Sequence, residues 1–302
     1  MPSRSSAKPG TSKSLHEAFR SRELTKVITS HRAEEGSSGT VQQTLPSPNL
    51  ETWDPILLLQ ENGPQEIRAG TPREPSLQTY RGFETLTYVL DGELEVWESD
   101  QHQSLLSAGD LHWSSFASGM TRGEGPSRAL QSQGGWIHAL TFWVNLSQVE
   151  KTSSSRSTTL QNSSIPRVEI PGLDSVVRVL AGHYEGVQSP VQFTTPTILL
   201  DVEVAAGSEF SCKIEEGWNA LVYVHKNAGY FGSKREKLIQ QQMGLLNSSG
   251  DGLLILNEAA AAPLRFILMA GAPLNEPVVR YGPFVMNSQE EIQRAFKESQ
   301  GR

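Results

Sequence analysis

The sequence predicts an all-β protein with two similar barrels in tandem. Three observations carry this. From residue 26 onward, short runs of β-branched and aromatic residues are broken by Gly, Pro, Asn or Asp roughly every 8–12 residues, the rhythm of a sandwich or barrel. A strand-turn-strand unit in the first half is echoed in the second. The length of 302 residues suits two domains.

The N-terminus differs from the rest. Residues 1–32 carry seven Lys or Arg against two Glu. Residues 1–25 are expected to form a disordered basic extension, rich in Ser, Gly and Pro through Ser14. It has no apolar h-region, so it is not a secretory signal. It serves as a solvated tail or as a docking tail for a protein partner, with Leu15, Phe19 and Leu24 on one face of a short helix. Its basic, Ser-rich composition also has a faint likeness to a mitochondrial transit peptide.

The first barrel is expected over 26–150. Residues 86–90 and 93–97 flank Asp91-Gly92 and read as a hairpin, since Asp-Gly tolerates the positive φ of a type I′ turn. Ala108-Gly109-Asp110 is a second turn, leading into a strand at 111–113. Downstream, residues 221–231 echo the hairpin, and Ser249-Gly250-Asp251 echoes the second turn. Two such units imply internal duplication. Barrel closure explains the repeated strands, because it removes sheet edges. Residues 151–165 form a polar, low-complexity linker. The second barrel spans 166–302 and ends in a helix over 288–297. There Ser288 and Glu291 form a capping box, and Ile292 and Phe296 give one apolar face.

Composition narrows the function classes. A net charge of -7 argues against nucleic acid as a direct partner, which needs clustered Lys and Arg. No apolar run approaches the roughly 20 residues that span a bilayer, and the mean hydropathy of -0.37 is ordinary for a soluble protein. The single cysteine, Cys212, excludes an internal disulfide and fits a reducing compartment. Only Lys213 is near enough in sequence to activate its thiol, so it reads as a small semi-buried residue. The expected location is intracellular, in cytoplasm or nucleus, with a mitochondrion or other organelle left open by the N-terminus.

No G-x-S-x-G, P-loop or G-x-G-x-x-G pattern is present. The chemistry-bearing stretch is Tyr80-Arg81-Gly82-Phe83-Glu84 and the strand that follows. It closely resembles the signature of the pirin family, a branch of the cupin superfamily. Other motifs resemble the family in the same order: Asp54-Pro55 with the apolar run behind it, Gly109-Asp110, Trp143-Val144-Asn145-Leu146, Ala270-Gly271, and Gly282-Pro283-Phe284-Val285-Met286-Asn287. The resemblance covers nearly the whole chain from about residue 26. It implies two cupin-type β-barrels face to face, with the C-terminal helix packed back on them.

The resemblance also implies an iron site in the N-terminal barrel. In the family a His-Pro-His triplet precedes Arg-Gly-Phe-Glu, and a third histidine and a glutamate complete the site. These four positions fall on Gln78, Tyr80, Arg122 and Glu124, and only the glutamate is kept. Fe(II) sites favour imidazole nitrogens with a carboxylate. The Gln78 amide is a weak neutral ligand. The Tyr80 phenol binds well only when deprotonated, far from its usual pKa of about 10. Arg122 has no lone pair to offer and is expected to pair with Glu124 instead. The expectation is therefore no metal, no catalytic residue and no cofactor.

Other candidates read as structural. His102, His112, His138 and His225 show no metal-ligand spacing, and Trp97, Trp113, Trp136 and Trp143 read as core and rim packing. Glu84 is either a general base in a dry barrel or, with Arg81, a residue that fixes the strand-turn geometry by hydrogen bonds. The expected function is a non-catalytic interaction or regulatory module, part of a larger assembly. The alternatives are a metal-dependent, quercetin-dioxygenase-like oxidoreductase, or a small-anion binder in a vacated pocket lined by Gln78, Tyr80, Arg122 and Glu124.

Overall fold

The computed structural model describes residues 19–35, 39–70, 77–99 and 103–300. Residues 1–18 of the expected N-terminal extension, Leu15 among them, lie outside the described residues. Each half pairs a seven-stranded with a four-stranded antiparallel sheet. The larger N-terminal sheet runs Arg156–Leu160, Leu111–Ser115, Phe83–Asp91, Gly135–Asn145, Ile56–Ile67, Gly39–Leu45, His31–Glu35. Its smaller sheet runs Gln78–Tyr80, Met120–Pro126, Glu93–Glu98, Gln103–Ser107. In the C-terminal half the larger sheet runs Leu24–Thr29, Gln242–Leu246, Asn219–Lys226, Leu264–Gly271, Thr197–Val204, Val176–Ala181, Arg167–Glu169. The smaller one runs Glu209–Lys213, Gly252–Leu256, Ala228–Phe231, Glu236–Ile239.

Side-chain alternation sorts each strand between two cores. On Phe83–Asp91, Leu86 and Tyr88 join an apolar cluster that spans both halves, together with Leu199, Leu221 and Ile267. The next residue along, Val89, enters a separate cluster inside the N-terminal barrel. The two large sheets therefore face one another across a continuous core. The C-terminal barrel is filled by its own apolar cluster, which includes Cys212. Burial pushes the Cys212 thiol up to about 12, consistent with an inert core residue.

The halves exchange their ends. Leu24–Thr29 pairs with Gln242–Leu246 of the C-terminal sheet, although the sequence puts residue 26 at the start of the first barrel. Residues 19–25, expected within the disordered extension, are tied down. Arg22 is fully buried and donates to the carbonyls of Gly250, Trp218 and Glu215. Phe19 packs against Gly252. The expected linker at 151–165 is also structured: Arg156–Leu160 adds a strand beside Leu111–Ser115. Exposure alternates along its small polar side chains, which suits a strand with one wet face, and low complexity concealed that.

The two expected hairpins do not form. Phe83–Asp91 does not pair with Glu93–Glu98; it pairs with Leu111–Ser115 and Gly135–Asn145. Asp91-Gly92, with Gly92 at φ 78°, turns the corner from the larger sheet to the smaller one. Asn227 at φ 65° turns the matching corner in the second barrel. A dipeptide specifies positive φ, not the partner of the strands beside it. The second echo also shifts. The counterpart of Gly109, whose N–H donates to Val89 O, is Gln241, whose N–H donates to Val224 O. Ser249-Gly250-Asp251 precedes a strand of the smaller sheet instead.

The C-terminal helix spans Gln289–Gln300. Its capping box forms: Glu291 N–H donates to Ser288 Oγ at 3.2 Å, and Ser288 N–H donates to Glu291 Oε2 at 3.2 Å. The buried face is Ile292 with Ala295, while Phe296 stays 41% exposed. No described helix is long and apolar enough to cross a membrane.

Candidate functional site

Met120–Pro126 lies between Gln78–Tyr80 and Glu93–Glu98, with Arg122 opposite Gln78 on one side and Glu98 on the other. The period of two turns Arg122 and Glu124 to the same face. Arg122 Nη2 donates to Glu124 Oε2 at 2.8 Å and to Thr87 Oγ1 at 3.1 Å. The Thr87 hydroxyl donates to the same Glu124 oxygen at 3.1 Å. Arg122 is 5% exposed. The pairing expected from sequence is thus present, and Thr87, which the sequence reading passed over, completes a closed triangle.

Beside it lies a second buried pair. His112 sits opposite Thr87 on the neighbouring strand. Its Nε2 is 3.1 Å from Glu98 Oε1, and its Nδ1 is 2.8 Å from Thr159 Oγ1. Ser114 and Ser157 also donate to Glu98, at 3.0 and 2.6 Å. Burial alone raises the Glu98 carboxyl, but the hydrogen bonds from His112, Ser157 and Ser114 outweigh it, leaving the pKa lowered to about 2. Burial lowers the His112 pKa, so the imidazole is neutral at pH 7. A carboxylate only accepts, so Nε2 carries the proton. His112 is a satisfied structural histidine.

Gln78 and Tyr80 line the barrel mouth. Tyr80 stacks on Phe116 with centroids 4.9 Å apart and meets Trp143 edge-on at 6.0 Å. A cleft of about 230 Å³ opens here, walled by Gln78, Tyr80, Leu58, Gln60, Trp143 and Arg280. The Arg280 guanidinium lies over the Trp143 ring at 4.7 Å, a cation–π contact. Arg280 comes from the far C-terminal segment, so nothing local in sequence points to it. Arg122 and Glu124 do not line this cleft. The single vacated pocket expected from sequence is divided, with two of its four residues at the mouth and two in the ion pair behind.

Arg81 and Glu84 do not fix a local turn together. Arg81 Nη1 reaches Glu298 of the C-terminal helix at 2.5 Å. Glu84 is fully buried and accepts from Thr194 N–H and Oγ1, both at 2.8 Å. Burial raises its pKa to about 7. Alternation on Phe83–Asp91 sends Glu84 to the barrel interface, away from the mouth. His138 pairs with Glu61 at 2.6 Å and His225 with Asp201 at 3.0 Å; His102 lies outside the described residues. Trp113 and Trp143 are buried, Trp97 is half-buried and Trp136 is 55% exposed.

These residues do not fit an iron centre. Two of the four positions offer an amide and a phenol that stacks on Phe116, and the third presents a guanidinium bonded to the only carboxylate. Among the described residues, no three His, Cys, Asp or Glu side chains cluster as metal ligands.

The chain matches two family models, one described as Pirin over residues 38–144 and one as the Pirin C-terminal cupin domain over 199–301. It is 35% identical over 281 residues to a pirin-like protein of Solanum lycopersicum, covering 93% of this chain and 92% of that protein. It is 33% identical over 249 residues to a putative quercetin 2,3-dioxygenase of Pseudomonas aeruginosa, covering 81% and 84%. The crystal structure of a quercetin 2,3-dioxygenase from Acinetobacter baumannii superposes with a TM-score of 0.85 at 25% identity, covering 93% of this chain and 97% of that one. Two matched domains, one in each barrel, and relatives aligned along nearly the full length make this chain a member of the pirin family.

Proposed function

We propose that this chain is a non-catalytic pirin: a rigid two-barrel interaction or regulatory module that works within a larger assembly. One observation carries the reading. The Arg122 guanidinium occupies the third-histidine position and is bonded to Glu124, the only family ligand retained. A fixed positive charge there disfavours a cation and leaves Glu124 no free role as a ligand. The partner is a protein. Residues 20–29 are committed to the C-terminal barrel, so a docking tail in the N-terminal extension is limited to the part before Phe19.

A second reading is supported by the cleft. Aromatic walls, amide groups and the Arg280 charge, offset in part by Glu34 on the same lining, support a small planar anion. This replaces the sequence-based idea that Arg122 itself receives the anion. The dioxygenase reading draws support from the names of the Pseudomonas and Acinetobacter relatives, and the donor set here opposes it.

Metal content measured by mass spectrometry, on the protein as isolated and after anaerobic Fe(II) loading, tests the proposal. Negligible iron with no quercetin turnover is expected. Stoichiometric iron with chelator-sensitive turnover would overturn it.

A further inference from the structure

Residues 272–300 leave the C-terminal barrel and lie on the N-terminal one. Arg81 N–H donates to Pro283 O at 3.1 Å, and Val285 N–H donates to Arg81 O at 3.0 Å. Val285 is fully buried among Leu57, Phe83, Phe116 and Trp143. On the short strand Val279–Tyr281, Arg280 faces the cleft and Tyr281 faces out, 62% exposed and edge-on to Phe296 at 6.0 Å. One strip of backbone thus has a cleft side and a solvent side.

Lys151 fastens that strip. It is 1% exposed, and its ammonium donates to Gly82 O at 2.7 Å, Asn145 Oδ1 at 2.7 Å and Val285 O at 3.0 Å. These oxygens belong to three elements: the turn before Phe83–Asp91, the end of the strand that carries Trp143, and the C-terminal segment. All three ammonium donors are used. Burial lowers its pKa to about 7, and Glu276 and Glu291, on the C-terminal segment and its helix, act in the opposite direction. Burying a charge against neutral oxygens is costly, and an apolar side chain would fill the same space without that cost.

We propose that residues 276–300 form a strap closing one side of the barrel-mouth cleft, with Lys151 as its latch. When the latch yields, the cleft opens and the outer face carrying Tyr281 and Phe296 moves with it. The importance of the cleft rests on its being a binding site, as argued above; the motion does not depend on that reading or on metal content.

The test uses Lys151→Met in the full chain, which keeps the apolar stem and removes the donors. Hydrogen exchange is read by mass spectrometry across 276–300 and across the strands 56–67 and 135–145. In parallel, Leu58→Cys places a thiol in the cleft wall, where buried Cys212 does not compete for maleimide. Exchange in the strap at least tenfold faster, with the two strands unchanged and Leu58→Cys labelled correspondingly faster, is the expected result. Unchanged strap exchange, or acceleration that is equal everywhere, would overturn the proposal. Should Lys151→Met fail to fold, Glu298→Ala releases the Arg81 pair at the far end of the strap. A two- to threefold acceleration confined to 276–300 is then expected, and no change counts against it.

Discussion

The Tyr88 hydroxyl donates to Asp201 Oδ2 across the barrel interface at 2.9 Å, and Tyr223 returns the same bond to Glu61 at 2.6 Å. The strand registers show that the two bonds are equivalent. Tyr88 and Glu61 both face Leu140 from neighbouring strands, and Tyr223 and Asp201 both face Ile267 in the same way. Each barrel lends its tyrosine to the other's carboxylate, so the internal duplication is written into the interface as well as into the sequence.

These two bonds have unequal support. Asp201 keeps Arg265 at 2.6 Å and His225 at 3.0 Å without Tyr88. Among the described residues, Glu61 keeps only His138, at 2.6 Å, as an ionisable partner. Tyr223→Phe should cost about 2 kcal/mol and Tyr88→Phe about 1 kcal/mol, since a buried acceptor that loses its donor bears the desolvation cost. Urea unfolding midpoints of the two variants check the order.

Arg122→Gln should lower stability by roughly 1–3 kcal/mol, because Glu124 is left with the Thr87 hydroxyl in place of a charged partner. The midpoint of denaturant unfolding should fall with its slope unchanged. Equal stability of the variant would mean that the pair contributes nothing to the barrel.

Two buried glutamates should give opposite pH signatures. Glu98 has its pKa lowered to about 2, so its contribution is present above the ordinary value near 4.5 and is lost as pH falls towards 2. Glu84 has its pKa raised to about 7, so its contribution is present below 4.5 and is lost as pH rises through 7. Melting temperature against pH should therefore flatten between 2 and 4.5 in Glu98→Gln, and between 4.5 and 7 in Glu84→Gln.

Gly82→Ala should be severely destabilising. Gly82 has φ 90°, and a Cβ there would fall 1.9 Å from Val285 O. The strap must shift or the turn must unwind, at a cost of roughly 1–3 kcal/mol for the backbone conformation alone. Gly70, at φ 75° with open space around it, serves as the control. Its substitution should cost much less, and calorimetry of the two alanine variants separates clash from φ.

The fold class, the duplication and the capping box at Ser288 were legible because they rest on local rules: alternation, turn residues and spacing within one helical turn. The likeness around Arg81-Gly82-Phe83-Glu84 pointed to the four positions, and the pairing of Arg122 with Glu124 followed because two residues of one strand separated by one share a face. Local rules failed where partners are distant. Asp91-Gly92 announced a turn but not that its strands part company. Glu84 read as a local brace and instead holds Thr194, 110 residues away.

The sequence by itself determined the all-β class, the internal duplication, the capping box at Ser288 and, through the family resemblance, that three of the four iron-ligand positions are changed. Only the tertiary structure decided that Leu24–Thr29 edges the opposite barrel, that the C-terminal segment walls the mouth with Arg280, and that Lys151 binds three separate elements. The physical reason is the range of the interactions. Backbone preference and side-chain period act over a few residues. A buried ammonium or a tyrosine-carboxylate bond depends on which surfaces meet once the whole apolar core has closed.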